Sequence, residues 1–481
     1  MAPNASNIQP TDDADVLSLL PSDVLVSILE KLTLRDAIRA GALSRRWRQL
    51  SGQLPRLALD FVDFMPGPGK YHDEDDEEEL DTPASSSDDA LSAAGDRMLE
   101  VATAVLASRA AGQQQLPVCA MSFYLRHNYM SLGRLLNDAV AGGKVRAVEL
   151  TISTTCKVMS GGPKAIDRAL LGYGRRFRAF FGGCPAAFGG LTRLTIKTMA
   201  LGEPELNDVL AACTRLEFLS LEEFVAGRPW LWRVRHARLA DLRITFGRFR
   251  EVHLVWLPRL ERVAYRYSGL LHSRQPLSFG HVPRLTTLVM SDHFLTGSRT
   301  VKLSHILANT AVQELRLNFG GEDIWVQPEP PKRLTDTFRN LNYLKVCNIH
   351  EKCGLSWTMF LIHAAPLLKE LYIKLWDHEC NRQRLPAVKN EPWDVVTDFK
   401  HYSLTRIVIK GFYEDTLVTY LRHLVQVAVN LEVIRIYENA TCEDCDAERT
   451  GFPRMDEDRE RLIKRITDGG SSHNKIHMVS Y

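Results

Sequence analysis

The side chains best suited to chemistry lie toward the C-terminal end of the sequence. Cys442-Glu-Asp-Cys445 has the spacing of a metal-binding or redox pair. A zinc site would need a second pair, and only His473 and His477, in "HNKIH", stand nearby; the interval is longer than finger spacing. The reading is a plain surface loop with no metal. "SGGPKA" (160–165) and "AGGK" (141–144) place Gly beside Lys without the Gly-x4-Gly-Lys-Ser/Thr spacing that lets a loop cradle phosphate. The 15 histidines form no HExxH pair. A hydrolase or nucleotide-dependent enzyme needs convergent titratable groups. The sequence offers no such set, so neither an enzyme nor a cofactor is expected.

Function must then reside in surfaces. The chain has 481 residues, 45% of them hydrophobic and 25% charged, with a net charge of +2. That is an ordinary globular composition and not that of a polyelectrolyte binder. The first residues, "MAPNASNIQPTDDADV", lack the basic and apolar regions of a signal peptide. No run of eighteen apolar residues suggests a membrane span. Nine irregularly spaced cysteines fit reduced thiols better than a disulfide framework. Together these point to nucleus or cytoplasm.

Residues 19–50, "LLPSDVLVSILEKLTLRDAIRAGALSRRWRQL", carry three helical signatures. Pro21 suits a first turn, where its missing N–H costs nothing. Val24, Leu25, Ile28, Leu29 and Leu32 then recur at helical spacing. Thr33 can cap a second helix, with Asp36 near its positive end. Ala42, Leu43, Trp47 and Leu50 give a third apolar face, with Arg45, Arg46 and Arg48 directed elsewhere. Three such short helices have little core of their own, so a partner is expected to cover what they leave open. This pattern resembles an F-box. The resemblance implies docking onto the Skp adaptor, and through it the cullin, of an SCF-type ubiquitin ligase. It also implies adaptor contacts at Leu20, Pro21, Leu25, Ile28, Leu29, Leu32, Leu43 and Trp47. Leu43 stands where the family more often has Val. A small helical cap on the downstream chain is the other reading.

After Phe64 the composition changes. "MPGPGK" breaks structure, "DEDDEEE" (73–79) repels itself and "DTPASSSDDA" is small and polar. Helical periodicity resumes over 96–110, and "VCAMSFYL" (118–125) reads as a strand. From residue 145 one phrase returns eleven times: apolar, two variable, apolar, one variable, apolar. Its members run from Val145-Val148-Leu150 and Leu191-Leu194-Ile196 to Leu404-Ile407-Ile409 and Leu431-Ile434-Ile436. Successive last members from Ile196 to Ile373 lie 21 to 29 residues apart, the period of leucine-rich repeats. "LNDVLAACTR" and "FLIHAAPL" supply return segments, and "HECNRQRLPAVKNEPWDVVTDFKHYSL" an insertion. With residues 403–438, the whole resembles the plant F-box/leucine-rich-repeat family with its FBD-like C-terminal part. The expected fold class is α/β: a three-helix F-box, then an irregular leucine-rich-repeat solenoid (horseshoe) with parallel strands on the concave face. The expected division is a disordered 1–15, F-box 16–60, acidic flexible linker 61–95, repeats 96–440 with the FBD-like part from about 368, and a tail 441–481.

In a repeat strand the third, fifth and seventh phrase positions face outward. Over the ten phrases from Leu191 these hold Arg193, Lys197, Arg243, Arg262, Arg266, Arg316, Lys345, Lys374, Arg406, Lys410 and Arg435. Against these eleven stand only Glu222, Asp241, Glu314 and Glu370. A wall of one sign concentrates an oppositely charged partner. Arg243, Arg262, Arg266, Arg316, Lys345 and Lys374 are therefore candidate contacts for an acidic or phosphorylated protein segment, or for a small anion completing the surface. A solvated strand surface is the other reading. "RPWLWRVRHARLADLRITFGRFR" (228–250) interleaves seven Arg with two Trp, as nucleic-acid binders do, but the repeat phrase runs through it and explains it better. The functional expectation is a non-catalytic substrate-recognition subunit of a ubiquitin ligase; the alternative is a leucine-rich-repeat scaffold outside any ligase.

Overall fold

The computed structural model describes residues 19–32, 34–40, 44–51, 54–65, 88–108, 115–126, 128–154, 163–224, 230–247, 249–268, 276–293, 300–321, 324–350, 353–376, 399–438, 451–467 and 476–480. They divide into two compact units, Met1–Cys156 with Phe180–Leu191 and Lys157–Ala179 with Thr192–Tyr481.

The first unit opens with three short helices, α1 (Ser22–Leu29), α2 (Leu34–Ala40) and α3 (Arg45–Ser51). Three strands follow: β1 (Arg56–Asp60), β2 (Leu116–Tyr124) and β3 (Val145–Ser153). All pair in parallel, β1 with β2 and β2 with β3. Parallel neighbours need a crossover, which the helices Asp88–Ser108 and Tyr129–Ala141 provide. The first begins eight residues before the expected 96, because Leu91 and Ala94 are already buried. Gly133 lets the second helix approach closely, since a Cβ there would lie 2.3 Å from the Phe180 ring.

The second unit is the repeat array. Its main sheet joins β4 (Leu191–Lys197), β5 (Phe218–Glu222), β7 (Asp241–Thr245), β9 (Arg262–Ser268), β11 (Thr287–His293), β12 (Glu314–Asn318), β13 (Tyr343–Ile349), β14 (Glu370–Leu375), β15 (Arg406–Lys410), β16 (Val433–Tyr437) and β17 (Ile476–Val479). Each pairs in parallel with the next. All eleven phrases read from the sequence are strands. Their first, fourth and sixth residues, such as Leu216, Leu219 and Leu221, are buried. The return segments "LNDVLAACTR" and "FLIHAAPL" contain the helices Glu203–Ala212 and Met359–Ala364.

Two features depart from the expectation. Three return segments hold strands that form a second parallel sheet: β6 (Trp230–Arg235), β8 (Phe249–Trp256) and β10 (Leu277–His281). Within the arginine-rich stretch, Trp232 and Val234 turn inward while Arg233 and Arg235 stay exposed. Trp232 stacks on Phe249 at 5.3 Å. The aromatic residue is thus spent on the core, in keeping with the repeat reading. The second departure is the supposed tail. Helix Asp456–Thr467 packs on helix Glu414–Val427, where Arg422 donates to the Arg465 carbonyl at 2.7 Å, and β17 then adds a final strand. The expected Thr33 cap and Leu43, the run 73–79, residues 378–398 of the insertion, and Cys442, Cys445 and His473 lie outside the described residues.

Two buried histidines tie adjoining repeats in the same way. His236 and His401 each stand three residues before the first apolar residue of a phrase. Nδ1 of His236 accepts from the Leu239 N–H at 2.9 Å, and that of His401 from the Leu404 N–H at 3.0 Å. This fixes the tautomer, so Nε2–H donates to the carbonyls of Cys213 and Ala365, at 3.0 and 2.9 Å. Burial lowers both pKa values below the usual 6.5. A proton on Nδ1 would also face a backbone N–H. In acid the unfolded chain therefore binds more protons than the folded one, and stability falls as pH drops through the unfolded value. The thermal midpoint is expected to fall between about pH 7.5 and pH 5.5, and less so in a His236→Gln, His401→Gln double variant, as followed by circular dichroism.

Candidate functional site

Two surfaces stand out, one in each unit. In the helical trio, Pro21 precedes α1 as its N-cap and Ser44 accepts from the Trp47 N–H at 3.3 Å. Arg46, expected to point away, reaches back to the Leu20 carbonyl at 2.6 Å and anchors the start of α1. The apolar stripe of α1 splits in two. Leu25 and Leu29 are closed into a small core with Ala37, Trp47, Leu50 and Leu54. The remainder faces outward: Leu19 is 77% exposed, Leu32 41% and Val24 39%, with Pro21 exposed and Leu20 and Ile28 half-buried. Leu25, Leu29 and Trp47, placed by resemblance among the docking residues, therefore support that surface from beneath rather than lie on it. The reason is geometric, because only one side of an eight-residue helix can meet α3. Leu19 and Val24 join the open side and were not singled out by the resemblance; their exposure is set by where Trp47 packs.

The second surface is the outward face of the main sheet. The strand register aligns the variable positions into three rows. The first row runs Arg193, Phe218, Asp241, Arg262, Thr287, Glu314, Tyr343, Glu370, Arg406 and Val433. The second carries Arg243, Arg316, Lys345 and Arg435, and the third Lys197, Arg266, Lys374 and Lys410. All four acids are matched within the rows: Asp241 by Arg243 at 3.1 Å, Glu222 by Lys197 at 2.8 Å, Glu370 by Arg406 at 3.6 Å, and Glu314 by Arg316. Eleven cations less these four leave seven in excess.

The six candidate contacts are thus not equivalent. Arg243 and Arg316 are engaged with their carboxylates and also lie over aromatic rings, Arg243 at 5.0 Å from Phe218 and Arg316 at 5.8 Å from Tyr343. Arg262 is half-buried beside Asp241 in its row, and its Nε has no hydrogen-bond partner among the described residues. Arg266 is half-buried between Thr245 and Ser291. Lys345 sits 4.9 Å from the Tyr372 ring, and Lys374 is exposed. Burial pushes the Tyr343 hydroxyl up to about 12, so its ring remains a neutral shelf among the cations. Among the described residues no cluster could hold a metal ion, and no helix is long and apolar enough to cross a membrane.

Comparison with known proteins finds two family matches. Residues 17–58 match the F-box domain. Residues 164–299 match the leucine-rich repeats of the FBD-associated F-box protein At5g56370. The chain is 41% identical over 55 residues to F-box/LRR-repeat protein 13 of Arabidopsis thaliana, which is 11% of this chain and 12% of that protein. It is 46% identical over 50 residues to FBD-associated F-box protein At5g18780 of the same plant, 10% of this chain and 11% of that one. The chain thus aligns with about a tenth of the length of these curated relatives. It carries an F-box followed by leucine-rich repeats of the FBD-associated kind.

The split of the α1 stripe predicts unequal effects of truncation. Leu25→Ala and Trp47→Ala should each destabilise the trio by about 2–5 kcal/mol. Leu32→Ala should change stability by less than about 0.5 kcal/mol, measured by denaturant unfolding of the full chain.

Proposed function

We propose that the chain is the substrate-recognition subunit of an SCF-type ubiquitin ligase, in nucleus or cytoplasm, with its F-box on the Skp adaptor and its repeats on a target protein. The observation that carries this reading is the open apolar side of a trio whose own core is already closed. Leu19, Pro21, Val24 and Leu32 are exposed, and Leu20 and Ile28, half-buried at the edge of that core, border them. Each aliphatic side chain buried on docking contributes roughly 1.5–3 kcal/mol, so such a patch can offset the cost of association. Leu43 is assigned to the same contact by the F-box pattern. The adaptor links the receptor to cullin, and catalysis belongs to the conjugating enzyme; the receptor supplies proximity. No cofactor enters this role. On the repeats, the basic bias of the rows favours an acidic or phosphorylated segment of the target, held at Arg243, Arg262, Arg266, Arg316, Lys345 and Lys374. Residues from about 368 onward serve as the FBD-like part of the array.

The alternative is a leucine-rich-repeat scaffold outside any ligase, and capture by purified Skp adaptor separates the two. An Ile28→Asp, Leu32→Asp double variant should lose at least about a hundredfold in affinity, since two anchors together contribute roughly 3 kcal/mol or more. Its circular dichroism should not change. If the unaltered chain shows no affinity for the adaptor, the scaffold reading takes its place.

A further inference from the structure

The seven excess cations are not spread evenly over the rows. Four of them fall on successive strands from β13 to β16, Lys345, Lys374, Lys410 and Arg435, and His477 follows on β17. His477 is counted here for its two ring nitrogens and its place beside Arg435, not for a fixed charge. The only carboxylate on these five strands' row positions is Glu370, and Arg406 holds it. Lys374 and Lys410 are direct cross-strand partners, so their stems start about 4.8 Å apart. Like charges placed opposite each other destabilise a sheet. Among the described residues neither lysine has a carboxylate, and neither does Arg435, one strand further on.

We infer that Lys374, Lys410 and Arg435 form a phosphoryl-binding site, and that the segment it holds is a phosphorylated stretch of a protein lying across β13–β17. A carboxylate brings one charge and would neutralise only one of the two opposed lysines. A phosphoryl group brings about −1.5 to −2 and three acceptor oxygens, which matches a lysine pair with a guanidinium beside it. Tyr372 lies between Lys345 and Val408 in the middle row and offers the segment an apolar floor. From β13 to β17 the band spans about 19 Å, the reach of about six extended residues. Lys345 and His477 stand at its two ends, placed for flanking acidic or phosphorylated residues. The inference rests on the receptor reading only for what the bound segment is for.

Binding is therefore measured on the full chain without adaptor, by fluorescence anisotropy. The probe is a short labelled peptide of alternating glycine and phosphoserine, with serine and glutamate counterparts. The phosphoserine peptide should bind at least about tenfold more tightly than the glutamate one, and the serine peptide should not bind. Lys374→Glu with Lys410→Glu should weaken phosphopeptide binding at least about tenfold. Arg233→Glu with Arg235→Glu, the same charge change on the second sheet, should leave it unaltered. Thermal melts confirm that both variants fold, and Lys374→Gln with Lys410→Gln serves if the reversal does not. Equal loss in the two reversals, equal affinity for the glutamate peptide, or no phosphopeptide binding would each overturn the assignment. Retained adaptor capture in the same preparation would then leave the receptor reading standing.

Discussion

One repeated hydrogen bond sets the geometry of the array. The backbone carbonyl at the second phrase position accepts two N–H groups from the repeat that follows. Glu217 O receives Ala240 and Asp241, Ala240 O receives Glu261 and Arg262, and Glu261 O receives Thr286 and Thr287. The series continues through Thr286, Gln313, Asn342, Lys369 and Thr405, with distances between 2.8 and 3.2 Å. A one-residue slip would turn the buried residues outward, and this doubled bond at the head of each main-sheet strand from β7 to β16 opposes it. The three rows exist because of it. Without a common register the cations would be scattered, and neither the cross-strand pairs Lys197–Glu222 and Arg406–Glu370 nor the band on β13–β17 would form.

The ends of five strands share a second backbone feature. The residue after the seventh position takes a left-handed backbone at Thr198, Glu223, Phe246, Asn348 and Gly411, with φ of 55°, 48°, 54°, 55° and 95°. Left-handed backbone is costly for a β-branched residue such as Thr198. It is offset by the Thr198 N–H bond to the Glu222 carbonyl at 2.9 Å and by the hydroxyl bond to Glu223 at 2.8 Å. Five strands, β4, β5, β7, β13 and β15, thus leave the sheet by the same kind of turn. The return segments can then differ freely, some as helices and three as strands.

This regularity explains what could be read from the sequence. The phrase is a local pattern of three apolar residues, so every strand that obeys it was legible, as were the rows it implies. The strands β6, β8 and β10 were not, because their inward residues are mixed: Trp232 and Val234 in one, Phe249, Val252 and Leu254 in another, Leu277 and Phe279 in the third. β17 was missed since only Ile476 of its residues is buried, and the segment was read as part of a tail. In the trio the helical pattern was legible from Pro21 to Trp47. The division of its stripe was not, because periodicity shows which residues share a face but not where a tryptophan from a third helix will land. The partner of Arg46 was not legible for the same reason, since it is a carbonyl 26 residues earlier in the chain.

The alternation along each strand keeps two kinds of change apart. An inward position such as Leu242 or Ile244 is fully enclosed, and altering it disturbs packing. An outward position such as Arg243 or Lys374 can be exchanged with little effect on what lies beneath. A gene encoding such an array can therefore rewrite the charge of its outward face one strand at a time while its framework stays as it was. Selection on the surface and selection for folding act on different letters of the same short phrase.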